Sequence, residues 1–313
     1  MNWKTKSLIQ RTCAAIPVFH EAAYYGIQRA FGRLRDKNDP TWLLSESVRL
    51  AACLRDAGMP VPGARVMEVG TGRGLDMPLG LFLCGADSVR TYDLHRYLKP
   101  HRVLDSVAAI RENREKIAEM FLPVTDARSL ETRLEALCAA RDFDAILKAC
   151  QIHYMAPADA SDTKLPRNSI DIQISYTVFE HIPGDVIVAI LKEANRILIP
   201  NGLVLHHIDL SDHFAHFDES IPYINFLRFS PDEWRVYGAN QFAYHNRLRA
   251  PEYEKIYREA GHKVEQWRVN LNERSLKELA NGFPLHPDYR DMSPEALCGT
   301  VVHALSRPRN SNA

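Results

Sequence analysis

One nine-residue stretch constrains this chain more than any other: Val66-Met67-Glu68-Val69-Gly70-Thr71-Gly72-Arg73-Gly74. Its apolar start reads as a buried strand, which breaks into three glycines at alternate positions. The apolar residues 75–83 then read as a helix. A second apolar strand, 89–92, closes at Asp93. Strand, glycine turn, helix and an acid at the end of the next strand make the layout of a nucleotide-type cofactor site in a doubly wound α/β sheet. Gly70, Gly72 and Gly74 allow a tight turn and let a ligand approach with no Cβ in the way. Asp93 is placed to grip two ribose hydroxyls, against the plainer reading of a helix N-cap. Glu68 would repel a phosphate, and suits an ammonium group or the amides of the turn instead.

The alternation continues downstream. Strands are expected at 151–155, 170–174, 203–208, 263–269 and 299–305, and helices at 183–198 and 251–260, the last stopped by Gly261. Such an order demands a mostly parallel sheet with helices on both faces, whose ligands bind beyond the carboxyl ends of the strands. The candidate site therefore gathers residues 70–74, Asp93, Asp159, 175–181 and 206–216. Residues 1–60 read as an N-terminal helical cap and 61–313 as the main domain. Within that domain, 209–250 is a polar, aromatic segment expected to cap the substrate. Residues 95–150 are longer than a βαβ crossover needs. They read as a helical insertion, with helices at 107–121 and 130–148, that packs over the cofactor cleft; a larger scaffold helix pair is the alternative.

Bulk properties narrow the function. Lysine plus arginine and aspartate plus glutamate both number 39 in 313 residues, so no net positive charge draws the chain to nucleic acid. The six cysteines form no CxxC pair and read as reduced core thiols of a cytoplasmic protein. No apolar run is long enough to span a membrane, so no stable membrane insertion is expected. The first residues, with Lys4, Lys6 and Arg11, read as a packing helix rather than a signal peptide. Homo-oligomerisation is left open.

With these pieces in order, the chain resembles a class I S-adenosylmethionine-dependent methyltransferase. The resemblance rests on the glycine turn from Glu68 to Gly74, on Thr91-Tyr92-Asp93, and on Ala158-Asp159-Ala160 with Leu165-Pro166-Arg167-Asn168-Ser169-Ile170-Asp171. It continues through Ser175-Tyr176-Thr177-Val178-Phe179-Glu180-His181-Ile182 and Glu193-Ala194-Asn195-Arg196-Ile197-Leu198-Ile199-Pro200-Asn201-Gly202. The resemblance implies a seven-stranded sheet of the class I type. It also implies that S-adenosylmethionine is the cofactor and S-adenosylhomocysteine the product. Glu68, Gly70, Thr71, Gly72 and Gly74 would hold the methionine part, and Asp93, with Leu94 beside it, the ribose. Asp159 and Ala160 would meet the adenine, and Ser175 and Tyr176 would line the methyl-transfer gap. The long 95–150 segment departs from the family core.

Candidates for chemistry cluster after the later strands. Histidine has the intrinsic pKa of a general base, which singles out His181, His207 and His213; strand alternation places Asp209 on the face of His207. Histidine and aspartate are also metal ligands, but no compact ligand spacing stands out, so no metal is assigned. Tyr176, Asn240, Tyr244, Asn246 and Arg247 are the candidate substrate contacts, because aromatic faces stack while amides and arginines fix hydroxyls or anions. The reading is O-methylation of a small-molecule or saccharide-type acceptor. The rivals are a nicotinamide-dependent oxidoreductase, disfavoured by a GxGxG rather than GxGxxG turn, and a non-catalytic binding protein on the same fold.

Overall fold

A computed structural model describes residues 2–15, 25–26, 38–238 and 244–309. Seven strands form one sheet: β1 (Arg65–Val69), β2 (Ser88–Tyr92), β3 (Ile152–Met155), β4 (Ile170–Tyr176), β5 (Leu198–Asp209), β6 (His262–Leu271) and β7 (Gly299–Pro308). Their order is β3-β2-β1-β4-β5-β7-β6. β1 to β5 pair in parallel, and β7 runs antiparallel to both of its neighbours. The chain thus folds as the mostly parallel, seven-stranded α/β sheet expected of it. The order reverses direction between β1 and β4, so the carboxyl ends of those strands open the crevice where such sheets bind ligands.

Alternation along the strands divides the core in two. Val66, Ile172, Ile174, Leu203 and Leu205 point to one face, which is covered by the helices Thr41–Asp56 and Asp76–Leu83. Met67, Val69, Val204 and Ile208 point to the other, under the helices Gly184–Ile197 and Ala250–Glu259.

The 95–150 segment differs from expectation. It forms four helices, Pro100–Glu112, Arg114–Phe121, Ala127–Ala139 and Phe143–Ala149, rather than two. The first break falls at Asn113 (φ −114°, ψ 29°). Asp126 and Asp142 each start a new helix by accepting a backbone N–H, from Ser129 and Ala145. The first of these helices begins beside the glycine turn, where Lys99 N–H donates to the Arg73 carbonyl at 3.1 Å. The apolar stripes of these helices, such as Val103, Val107 and Ile110 or Leu130, Leu134 and Leu137, join the first core face. Stripes at helical spacing need an apolar partner, and the sheet supplies it.

The 1–60 cap is likewise not one unit. The helix Thr41–Asp56 belongs to the sheet face, whereas the helix Trp3–Ala14 docks on the 209–250 segment. There Trp3 joins Phe214, Phe226 and Trp234 in a small third core, and its backbone N–H donates to Asp218 Oδ2 at 2.8 Å. The buried guanidinium of Arg249 ties this subdomain to the sheet by donating to the carbonyls of Leu210, Ala296, Leu297 and Gly299. The helices Glu273–Ala280 and Pro294–Cys298, between β6 and β7, were not anticipated. No helix among the described residues is long and apolar enough to cross a membrane.

Candidate functional site

The glycine turn sits at the end of β1. Gly70 has φ +90°, and a Cβ there would stand 2.4 Å from Val178 Cγ2, so the position demands glycine twice over. Gly72 has φ +67°, and among the described residues nothing lies within 4 Å of where its Cβ would be, so the turn opens on free space. Gly72 N–H donates to Asp93 Oδ2 and His95 N–H to Asp93 Oδ1, both at 3.0 Å. Ala158 N–H donates to the Asp93 carbonyl at 2.9 Å, which brings the loop after β3 to the same place. Three loops that follow parallel strands therefore converge on Asp93.

Glu68 takes a different part from the one expected. It is 3% exposed, and its Oε2 accepts the Thr91 hydroxyl at 2.5 Å; Thr91 in turn meets the Thr71 hydroxyl at 2.6 Å. Burial pushes the Glu68 carboxyl up to about 8, against the opposing hydrogen bond from Thr91. Glu68 thus braces the turn from beneath. On the near side, Asp76 Oδ1 accepts from Ser106 at 2.6 Å and Oδ2 from Asn38 at 2.8 Å, which pins the start of the helix to the segment before Thr41. Leu94 is 63% exposed beside Asp93. Asp159 is exposed, with its Oδ1 held by the amide and hydroxyl of Ser161. Ala160 is buried in the second core face, so its side chain offers no surface to a ligand.

At the ends of β4 and β5 several expectations fail. Ser175 is fully enclosed, its hydroxyl without a partner inside the sheet, so it does not line a gap. The Tyr176 hydroxyl donates to Glu46 at 2.9 Å, and its ring stacks on His207 with centroids 4.2 Å apart. It serves to hold the Thr41–Asp56 helix, and burial together with Glu46 drives the phenol above its usual range. His207 is 9% exposed, and Arg49 Nη2 lies 3.3 Å from its Nδ1. Because a guanidinium can only donate, Nδ1 is the acceptor and Nε2 carries the proton. Burial, with help from His303 and Arg49, pulls the ring down to about 4. With its basic nitrogen taken, His207 is not a general base. Nor does it meet Asp209, whose contacts turn toward the following loop.

That loop makes the second centre. Asp209 Oδ1 accepts the amide and hydroxyl of Ser211, at 2.8 and 2.6 Å. Its Oδ2 lies 3.4 Å from His213 Nε2 and 3.3 Å from His216 Nε2. Burial would raise this carboxyl, but hydrogen bonds from His213, His216 and Ser211 more than offset it and hold it below the usual range. The turn after β4 supplies His181, whose ring meets His213 edge-on at 4.9 Å, and His245 stands 5.0 Å from His213. Burial and His213 lower His181 to about 4, an effect moderated on the side of the ring that stays open to solvent. Beside it, Glu180 is fully buried with no side-chain partner among the described residues, and burial raises it well above the ordinary glutamate value.

Residues 116–206, from the helices before β3 to the middle of β5, match the family model of a methyltransferase domain. With a methyltransferase-domain match on a sheet of this strand order, the chain reads as an S-adenosylmethionine-dependent methyltransferase. No curated protein sequence matches it. Among solved structures, the methyltransferase is similar to a protein of Pyrococcus horikoshii (13% identity, 91% of this chain and 98% of that one, TM-score 0.47). It is also similar to an S-adenosylmethionine-dependent methyltransferase of Methanosarcina mazei (11%, 79% and 92%, 0.44). A third likeness is to one from Leishmania major (12%, 97% and 82%, 0.41).

Of the expected substrate contacts, Asn240 lies outside the described residues. Asn246 of the methyltransferase is spent on structure: its Nδ2 donates to the carbonyls of Phe179 and Ile182, and its Oδ1 accepts from Leu248 N–H. Arg247 is buried and donates to the carbonyls of Phe226 and Phe229. Tyr244 is half exposed, but the contact it makes to the cluster runs through its carbonyl, which meets His181 Nδ1 at 2.8 Å. Glu180 and His216 lie in the gathered segments without being singled out, whereas His245 was missed as a member of the second centre and Glu46, Arg49, Asn38 and Asp76 as supports. A fully polar glutamate just after a strand of the parallel core was the available signal for Glu180. The others are joined only by the fold.

Proposed function

We propose that this methyltransferase methylates an oxygen of a small-molecule acceptor seated at the ends of β4 and β5. The observation that carries the reading is the pairing of Asp209 Oδ2 with the rings of His213 and His216, while Ser211 fixes Oδ1. An oriented carboxylate–imidazole group is what removal of a hydroxyl proton calls for. The residues at the other end fit the cofactor: an open glycine turn, an acid joined to it through Gly72, and the exposed Leu94 beside that acid. Asp93 and the turn would bind it, with Leu94 against the adenine and Asp159 near its amino group. S-adenosylmethionine, when bound, supplies an electrophilic methyl group on sulfonium, so the chain's own work is alignment and proton removal. A saccharide acceptor has less support than a plain hydroxyl compound, because Phe226 and Trp234 are packed into the third core instead of facing a ligand. The six free cysteines fit a cytoplasmic enzyme.

The test is incubation with methyl-labelled cofactor and a panel of hydroxylated small molecules, read by product mass and fragmentation. O-methyl products that disappear with His213→Ala support the reading. Label appearing only on nitrogen or carbon refutes it.

A further inference from the structure

The second centre holds more ligating groups than proton removal needs. Asp209, His213 and His216 form one trio and Glu180, His181 and His213 another, with no two ligating atoms in either trio more than 4.8 Å apart. His213 belongs to both. The geometry points to a binding site for one divalent transition-metal ion, with Asp209, His213 and His216 as its first ligands and Glu180 and His181 closing it from the β4 side.

Four observations support this. Donors about 2.0–2.1 Å from a shared tetrahedral zinc stand about 3.3 Å apart. Asp209 Oδ2 lies 3.4 and 3.3 Å from the two imidazole nitrogens, a spacing that fits a shared ion. Second, Glu180 is 0% exposed, and among the described residues no side chain pairs with its carboxylate. A bare buried carboxyl costs several kcal/mol unless something binds it, and a cation among the adjoining imidazoles would do so. Third, the outer contacts already have the form that orients metal ligands. His181 Nδ1 meets the Tyr244 carbonyl, an acceptor only, so Nδ1 carries the proton and Nε2 is left with its lone pair. Ser211 takes Asp209 Oδ1 and leaves Oδ2 toward the histidines. Fourth, the donors are imidazoles and carboxylates together. Imidazole favours zinc, cobalt, nickel or iron over magnesium and calcium, which prefer oxygen alone. Two carboxylates would also balance the charge of a divalent ion.

Binding of the ion does not depend on the acceptor proposed above; its use does. On that reading an open coordination position would take the acceptor oxygen and lower the pKa of its hydroxyl, so that solvent water receives the proton and the alkoxide takes the methyl group.

The test is a titration of the full chain with Co2+, followed by visible absorption, and with Zn2+, followed by calorimetry. S-adenosylmethionine affinity of every variant is measured separately as a check on folding. One Co2+ per chain with ligand-field bands is expected. Asp209→Asn and His213→Ala should weaken binding about 100-fold, and Ser211→Ala about 10-fold, with cofactor affinity unchanged within a factor of about three. If the first two variants fail to fold, His216→Ala at the partly open edge gives the same reading. Wild-type protein without saturable Co2+ bands, or folded variants that bind Co2+ as tightly as wild type, would overturn the site. Protein that binds Co2+ yet makes no O-methyl product strikes the acceptor reading and leaves the metal site standing.

Discussion

The proposed cofactor end and the proposed acceptor end both follow strands of one sheet, but they are built differently. The cofactor end is local: Glu68, Gly70, Gly72, Thr91 and Asp93 all fall in a single strand–turn–helix–strand run, closed by hydrogen bonds within that run. The acceptor end is assembled from three distant pieces, Glu180 and His181, the loop 209–216, and the stretch 244–247. A site coded locally announces itself by spacing. A site assembled in space does so only after folding, and decoys such as Arg247 look like members until their partners are seen.

The largest effect should come from the local end. Gly70→Ala forces a Cβ into Val178 at a positive φ. S-adenosylmethionine binding should fall more than about 100-fold in calorimetry, with a lower melting temperature, and Val178→Ala in the same chain should recover part of it. An unchanged affinity would break the claim that this turn is the cofactor cradle. Next, Asp93→Ala should weaken cofactor binding on the order of 50-fold, since the acid both closes the turn and is assigned the ribose. His213→Ala should leave that affinity nearly untouched while abolishing turnover. If both substitutions moved the same parameter, the two ends would not be separable.

Smaller effects test the decoys. Arg247→Ala takes the guanidinium from the Phe229 carbonyl and one of the two donors from the Phe226 carbonyl. It should cost about 1–3 kcal/mol in denaturant unfolding, with kcat/KM per folded molecule preserved. A selective rise in KM would return Arg247 to the substrate site. His207→Gln should keep activity within about threefold, because the ring is neutral at pH 7 and its Nδ1 is taken by Arg49. The smallest effect is a slope. Glu68 titrates near 8 in the folded chain, well above its unfolded value. Its proton therefore favours the native state at low pH, and that contribution is lost as pH rises from about 4.5 to about 8. Glu68→Gln should flatten the fall in stability over this window; an equal or steeper fall in the variant would show that Glu68 is already ionised there.

Much of the fold was legible. β1, β2, β4 and the helices after β1 and β4 lie within a few residues of their expected places, because apolar periodicity and glycine stops act locally. The 95–150 segment holds four helices where two were expected, because periodicity marks an apolar stripe without marking where a helix breaks. Its helices took the sheet face beside Asp76–Leu83, and the break at Asn113 and the cap at Asp142 cut what read as two helices into four. At the acceptor end His181, Asp209 and His213 were legible as residue types at strand ends. The choice between His207 and His213 was not, since it turned on Arg49, which arrives from the helix Thr41–Asp56.

By itself the chain determined the turn proposed for the methyl donor: it needs left-handed backbone at Gly70 and Gly72, which glycine provides. Only the tertiary structure decided the proposed acceptor end. A histidine becomes a base, a ligand or a strut according to which partner occupies its second nitrogen. For His181, His207 and His213 those partners are Tyr244, Arg49 and Asp209, of which only Asp209 is a near neighbour in sequence.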